Sequence, residues 1–433
     1  MGDCVDTPTH PLRIANFRAY WFGRFTMTLG QYAMMLIIGW QTYNLARDAG
    51  DTVAQASGEL ALIGLLQFVP LFLLTPFSGL AADRLNRKRV AQATVLLQLA
   101  CASLLAWLTQ TGELSLGWLF GVAVVLGIVR AFNGPALSAL APNLVPQAIL
   151  PNAIALSSIA WQTGMIVGPA IGGYLYVIAP ALPHAVAGAL FLVTIVSFGF
   201  IGDVPRSPIA GAQRPLGQII DGWKYVIQNR MVLGAITLDL FAVFLAGATA
   251  LFPVFARDIL QVGAPGLSQL AAAPAAGAAV TAAYFSFRPL KTQVGPKMLG
   301  AVALFGVATI VFGLSRSMPL SLAMLFIVGA ADMFSVYIRQ SLIQLHTPDE
   351  KRGRVSSASL LTISASNEGG DAWSGWLASM IGPVAAVVAG GIGAIVTVAL
   401  WARVFPVLRH TRTFDPPPAL DSETPEQKLQ ERL

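Results

Sequence analysis

Apolar residues arrive along this chain in blocks of about twenty, separated by short polar gaps. A helix rises ~1.5 Å per residue, so about twenty apolar residues cross a hydrocarbon core of ~30 Å. The pattern predicts about twelve membrane spans. They fall near 18–46, 59–82, 90–109, 117–140, 153–179 and 184–202, then 231–257, 266–287, 297–315, 318–345, 355–381 and 383–405. Between the sixth and seventh lies a polar stretch, Asp203 to Arg230, that opens with Pro205, Pro208 and Gly211. In its second half Leu216, Ile219, Ile220, Trp223, Val226 and Ile227 recur at helical spacing, which predicts an amphipathic linker helix on the membrane surface. Beyond Pro406 the Pro416–Pro418 run and the acidic residues predict a disordered tail.

An internal repeat orders these spans. A shift of 202 residues lays Val145–Pro146 on Thr347–Pro348 and places Gly168, Ala170, Gly173 and Leu175 on Gly370, Ala372, Gly375 and Leu377. With the span order and the central linker, this predicts an all-α, polytopic membrane protein of two pseudo-symmetric six-helix bundles. The expected divisions are an N-terminal segment at 1–17, a first bundle at 18–202, a linker at 203–230, a second bundle at 231–405 and a tail at 406–433.

Composition agrees with the pattern. The 433 residues are 55% hydrophobic and 11% charged, where soluble domains run near ~25% charged. The net charge of +6 is explained by where the cations lie. With the N-terminus inside, the cytoplasmic segments carry 21 Lys and Arg residues, and the outer segments carry only Arg47, Arg257 and Arg316. Both termini are thus expected in the cytoplasm. Cys4 and Cys101 are expected to be free thiols. No short apolar core with a cleavage pattern opens the chain, so no removable signal peptide is expected.

Seven ionisable residues fall inside spans: Arg24, Arg130, Asp239, Asp332, Arg339, Glu368 and Asp371. Each costs roughly 2.5–3.5 kcal/mol at mid-depth on insertion scales, which points to function rather than scaffolding. The first half contributes only arginines and the second all four acids. Asp332 and Arg339 are seven residues apart, on one face but about 10 Å apart along the axis, too far to pair directly. Glu368 and Asp371 lie one turn apart on the same side of one helix. Glu368 is the first candidate for proton coupling, followed by Asp239 and Asp332, with Asp371 beside it. Arg24, Gln31, Arg130 and Arg339 are candidates for a substrate cavity. Tyr32, Trp40, Trp161 and Phe244 could add apolar contact, or could pack against helices or lipid.

The loop Gly79-Leu-Ala-Ala-Asp-Arg-Leu-Asn-Arg-Lys-Arg89 resembles the signature loop of the major facilitator superfamily. The resemblance implies a charge-dependent latch between halves at Gly79, Asp83, Arg84, Arg87 and Arg89. Asn86 stands where the family usually has glycine, and Asn tolerates left-handed backbone well. The matching loop of the second half, Phe287 to Gly295, lacks the Asp. In the fifth span Gly164, Gly168, Pro169, Gly172 and Gly173 resemble a Gly-Pro pattern of the family's antiporters; small residues four apart let helix backbones touch. Spans 1, 4, 7 and 10, which line the central cavity in this family, are those that carry Arg24, Arg130, Asp239 and the Asp332/Arg339 pair.

Leu12 to Arg24, Gly329 to Leu342, Thr347 to Val355 and Ser366-Asn-Glu368 look like the exporter subfamily that includes enterobactin exporters and macrolide efflux proteins. The resemblance implies proton-coupled efflux of an amphiphilic or anionic, siderophore-like small molecule by alternating access. Behind that reading stand a multidrug, macrolide or lysophospholipid carrier, a polytopic membrane enzyme, and a transport-dead sensor. The four histidines lack metal-ligand spacing, and no Gly-Lys dipeptide or Gly-x-Ser-x-Gly elbow occurs. The expectation is therefore no enzyme, no cofactor, no metal and no nucleic acid. The expected partners are a small-molecule substrate, protons and membrane lipids, around a monomer in the bacterial inner membrane.

Overall fold

The computed structural model describes residues 10–202, 215–288 and 290–414. The first half comprises α1 (Ala15–Asp48), α2 (Val53–Arg84), α3 (Arg87–Thr111), α4 (Leu116–Leu140), α5 (Leu150–Ile178) and α6 (Leu182–Gly199). A linker helix, α7 (Pro215–Gln228), precedes the second half. That half contains α8 (Arg230–Ala246), α9 (Phe252–Val254), α10 (Gly263–Phe287), α11 (Val294–Leu314), α12 (Met318–Leu345), α13 (Asp349–Ile381) and α14 (Pro383–Val404), followed by α15 (Pro406–His410). Ten of these segments are long and apolar enough to cross a membrane by composition alone. The other two spans are α1 and α13, of 34 and 33 residues. They carry Arg24, Glu368 and Asp371, which lower their hydropathy without shortening them.

The two bundles use one packing scheme. In the first half α1 packs on α5 and α6, α2 on α4, and α3 on α4 and α6. In the second half the counterparts repeat every pair: α8 on α13 and α14, α10 on α12, and α11 on α12 and α14. Between halves α2 meets α13 and α5 meets α10, again a symmetric set. Because the helices alternate in direction, one end of the molecule carries Arg87–Arg89, Lys291, Lys351, Arg352 and Arg403 and is called here the basic end. The far end carries the turns at 49–52, 112–115, 179–181, 260–262 and 315–317.

Glycines set the closest approaches. A Cβ on Gly164 would meet Thr28 at 2.8 Å, one on Gly168 the Leu29 carbonyl at 2.7 Å, and one on Gly172 the Ala33 carbonyl at 3.2 Å. Those three seat α5 on α1. Pro169 lies inside α5, where its missing N–H is absorbed without ending the helix. Gly173 does something different: it faces α10 across the halves, where a Cβ would collide with the Ala264 carbonyl, and its N–H donates to Ser268 Oγ at 2.7 Å. Its repeat-mate Gly375 faces α2, where a Cβ would stand 2.8 Å from Ala61. Gly64 of α2 meets Ala372 beside it.

Several expectations are corrected. The seventh span is not one helix to 257: α8 stops at Ala246, a 3-10 turn follows at Thr249–Leu251, and after α9 the chain passes into a π-turn at Phe255–Ile259. Gly247 at the stop has no Cβ to pack, and Pro253 cannot donate to a continuous ladder. The end of the linker helix packs part of its apolar face on protein, while Ile227 of the same face is exposed. Val226 is fully buried with Val232, Ile236, Ile343 and Val355, and Tyr225 Oη donates to the His346 carbonyl at 2.7 Å. The tail is ordered at its start: Leu408 of α15 is buried, and Gly295 N–H donates to the Thr411 carbonyl at 3.0 Å. The remainder of the tail, like Pro205, Pro208 and Gly211, lies outside the described residues.

Asn86 is not left-handed. It stands at φ −70° as the N-cap of α3, its side chain accepting from Lys88 N–H at 3.0 Å and Arg89 N–H at 3.3 Å. Lys88 then reaches the end of α6, donating to the Gly199 carbonyl at 3.2 Å. Arg87 opens α3 on that same turn. Gly79, Asp83 and Arg84 lie on the basic end of α2, and their side chains fall outside the described residues.

Candidate functional site

The span arginines of the first half are engaged by neighbouring side chains. Arg130 of α4 reaches across the interface and forms an ion pair with Glu368 of α13. Glu368 is 8% exposed, and Arg130 beside it is 26% exposed. Asp371 and the Tyr32 hydroxyl lie within electrostatic reach of Arg130. Asp371, one turn beyond Glu368, accepts a hydrogen bond from the Ala250 N–H at 3.3 Å, in the stretch where the seventh span is broken. Arg24 donates to the Tyr20 hydroxyl at 2.6 Å, which in turn donates to the Leu137 carbonyl at 3.2 Å. Gln31 accepts from Gln98 at 3.2 Å. The first half thus holds its polar groups in short chains between α1, α3 and α4.

A second ion pair is internal to the second half. Arg339 of α12 binds Asp239 of α8, with exposures of 3% and 8%. Arg339 does not pair with Asp332, as their spacing along the helix requires. Asp239, Asp332 and Arg339 instead share the wall of a cavity of about 230 Å³ that also receives Phe252, Phe305 and Phe312. Of the aromatic candidates, Trp40 is buried in the far-end core, Trp161 is 40% exposed, and Phe244 stacks on Trp373 with centroids 5.9 Å apart.

A third ionic group, unforeseen from sequence, clasps the far end. Arg47 of α1 pairs with Asp258 at 3.2 Å, and Arg257 pairs with Asp48 at 2.6 Å. Tyr43 Oη donates to the second oxygen of Asp258, and Arg257 donates to the Asn44 carbonyl at 3.2 Å. The signal was present: an Arg-Asp dipeptide ends the first span of each half, at 47–48 and 257–258. Counting cations by loop identified Arg47 and Arg257 but ignored the acids beside them. The two pairs of the interior were missed because each joins helices remote in sequence. The charge count alone, three arginines against four acids inside spans, was their only trace.

Two bundles of six helices, an interface crossed by backbone contacts and an ion pair that joins the halves define a transporter of the major facilitator kind. The chain belongs to the transmembrane secretion effector family, whose sequence pattern matches residues 6–432. Among curated relatives, the enterobactin exporter EntS of Escherichia coli (strain K12) is 26% identical over 414 residues, covering 94% of this chain and 95% of that protein. The EntS of Shigella dysenteriae serotype 1 (strain Sd197) is similar to the same extent. Among solved structures, the POT family transporter PepTSo superposes with a TM-score of 0.70 at 13% identity, covering 92% of this chain and 99% of that one. A bacterial homologue of the human lysosomal transporter Spinster, in an inward-facing and occupied conformation, gives 0.66 at 16% identity, covering 93% and 100%. At such identities these structures share the fold.

Proposed function

We propose that the protein is a proton-driven exporter of amphiphilic small molecules, working by alternating access in the bacterial inner membrane. The observation that carries this reading is the Arg130–Glu368 pair, because it joins the two halves. A buried ion pair of this kind is stable only while both partners meet; separating them strands a charge at low dielectric. Uptake of a proton by Glu368 neutralises the carboxylate and loosens the pair, and the partly exposed Arg130 is hydrated as the halves part, which ties protonation to rocking. The excess of cations at the basic end supports a cytoplasmic location for it and for both termini. The contacts at Gly173 and Gly375 lie toward the far end, which supports an arrangement whose halves meet on the outer side. The likeness to enterobactin exporters supports an outward direction and makes a siderophore-like molecule the first substrate to test.

The test uses purified protein in vesicles with an imposed proton gradient and two probes, enterobactin and ethidium. The expected result is gradient-dependent movement of at least one probe, at least tenfold slower in Glu368→Gln. If wild-type protein moves neither probe with the gradient, the reading fails. Gradient-driven transport at the wild-type rate in Glu368→Gln would remove that residue from the mechanism.

A further inference from the structure

The chamber of the second half has a charge of its own. Asp239 and Arg339 neutralise one another across it. Asp332 has no hydrogen-bond or ion-pair partner among the described residues, and its carboxylate forms part of the wall. With Asp332 ionised, the chamber carries one net negative charge. A second feature adds to this: α8 stops at Ala246, and Val243 and Ala246 of its last turn line the space. The final carbonyls of a helix lack helical partners and carry the negative end of its dipole. Phe252, Phe305 and Phe312 share the rest of the wall with aliphatic and small polar side chains. Phe252 and Phe312 meet edge to face at 5.9 Å, with Phe305 on the same helix as Phe312. Ring faces attract cations, more strongly where water is excluded.

Carboxylate, helix C-terminus and ring faces all favour the same sign of ligand. Arg339, only 3% exposed, keeps an unbonded Nε–H in this wall, a donor left for an acceptor on the occupant. The space of about 230 Å³ is smaller than the ~300–1,000 Å³ of sites for drug-sized molecules. We propose that this chamber is a binding site for a small organic monocation, a quaternary or protonated amine that bears a hydroxyl or carbonyl acceptor and a compact apolar body. It is separate from the Arg130–Glu368 pair, and it needs no gradient to be occupied.

The experiment is equilibrium binding to the purified full chain in detergent, by calorimetry and by thermal stabilisation. The probes are benzylcholine and the neutral alcohol in which carbon replaces its nitrogen. The expected result is that benzylcholine binds and raises the unfolding midpoint, while the neutral analogue binds at least tenfold more weakly. Asp332→Asn should weaken benzylcholine at least tenfold, and Asp332→Glu should retain it. Should Asp332→Asn fail to fold, Phe305→Leu serves in its place, with an expected loss of about threefold confined to the cation. Absence of binding by wild-type protein, equal affinity for the two probes, or unchanged affinity in Asp332→Asn would overturn the proposal. Because binding is read without transport, this outcome is independent of whether the vesicle experiment succeeds.

Discussion

Arg130 and Glu368 stand 238 positions apart in the chain, yet each is the other's principal electrostatic partner. At the residue scale the sequence announced which side chains would be expensive but not how they would be reconciled. Asp239 and Arg339 show why: helix periodicity fixes which residues share a face, while partners on other helices depend on packing that no local spacing encodes. The cost structure of such a pair gives a sharp expectation. Removing one buried partner costs ~3–5 kcal/mol, whereas replacing both by apolar residues of similar volume is near neutral. Asp239→Asn should therefore lower unfolding stability by about that amount. Asp239→Leu combined with Arg339→Met should fold with stability close to that of the wild type. Denaturant unfolding in bicelles decides; equal losses in the single and double variants would show that the pair is not desolvated.

At the scale of elements, the spans were legible because twenty apolar residues in a row have few other uses. The break after α8 was not, since residues 243–256 are apolar but for Thr249 and hydropathy is blind to backbone hydrogen bonding. Only Gly247 and Pro253 hinted at it. The glycine stripe of α5 was read as packing, but its division of labour, three positions toward α1 and Gly173 toward α10, required the neighbours. That division makes Gly173 and Gly375 sensitive. Gly173→Ala drives a methyl into the Ala264 carbonyl, a backbone atom that cannot rotate away. The expected cost is ~1–3 kcal/mol of stability, in line with overpacked interiors. Gly300→Ala is the control, because a Cβ there meets nothing within 4 Å and should be neutral or slightly stabilising. Thermal melts of both variants check this, and a neutral Gly173→Ala would mean the helices do not approach as closely as described.

For the whole molecule, the repeat in sequence reappears as a repeat of contacts, helix pair by helix pair. What sequence could not supply was the state in which the halves rest. The clasp of Arg47, Asp48, Arg257 and Asp258 holds the far end shut, and its members are partly exposed. Exposed pairs contribute only ~0.2–1 kcal/mol each, enough to bias an equilibrium between two orientations without locking it. Arg47→Asp should shift that equilibrium toward far-end opening by about fivefold for ~1 kcal/mol. Arg47→Asp with Asp258→Arg should restore it. Spin-label distances between α1 and α10 across the far end report the populations. High salt should mimic the single variant, because screening acts on pairs that water can reach.

The clasp also has a consequence for ancestry. Arg47 binds Asp258 while Asp48 binds Arg257, so each dipeptide meets its own likeness turned half a revolution. Contacts of this form are self-complementary, the kind that identical subunits make about a twofold axis. An unduplicated half-length chain bearing one such dipeptide would already have possessed both sides of the fastening, and could have closed on its twin before a linker ever joined them.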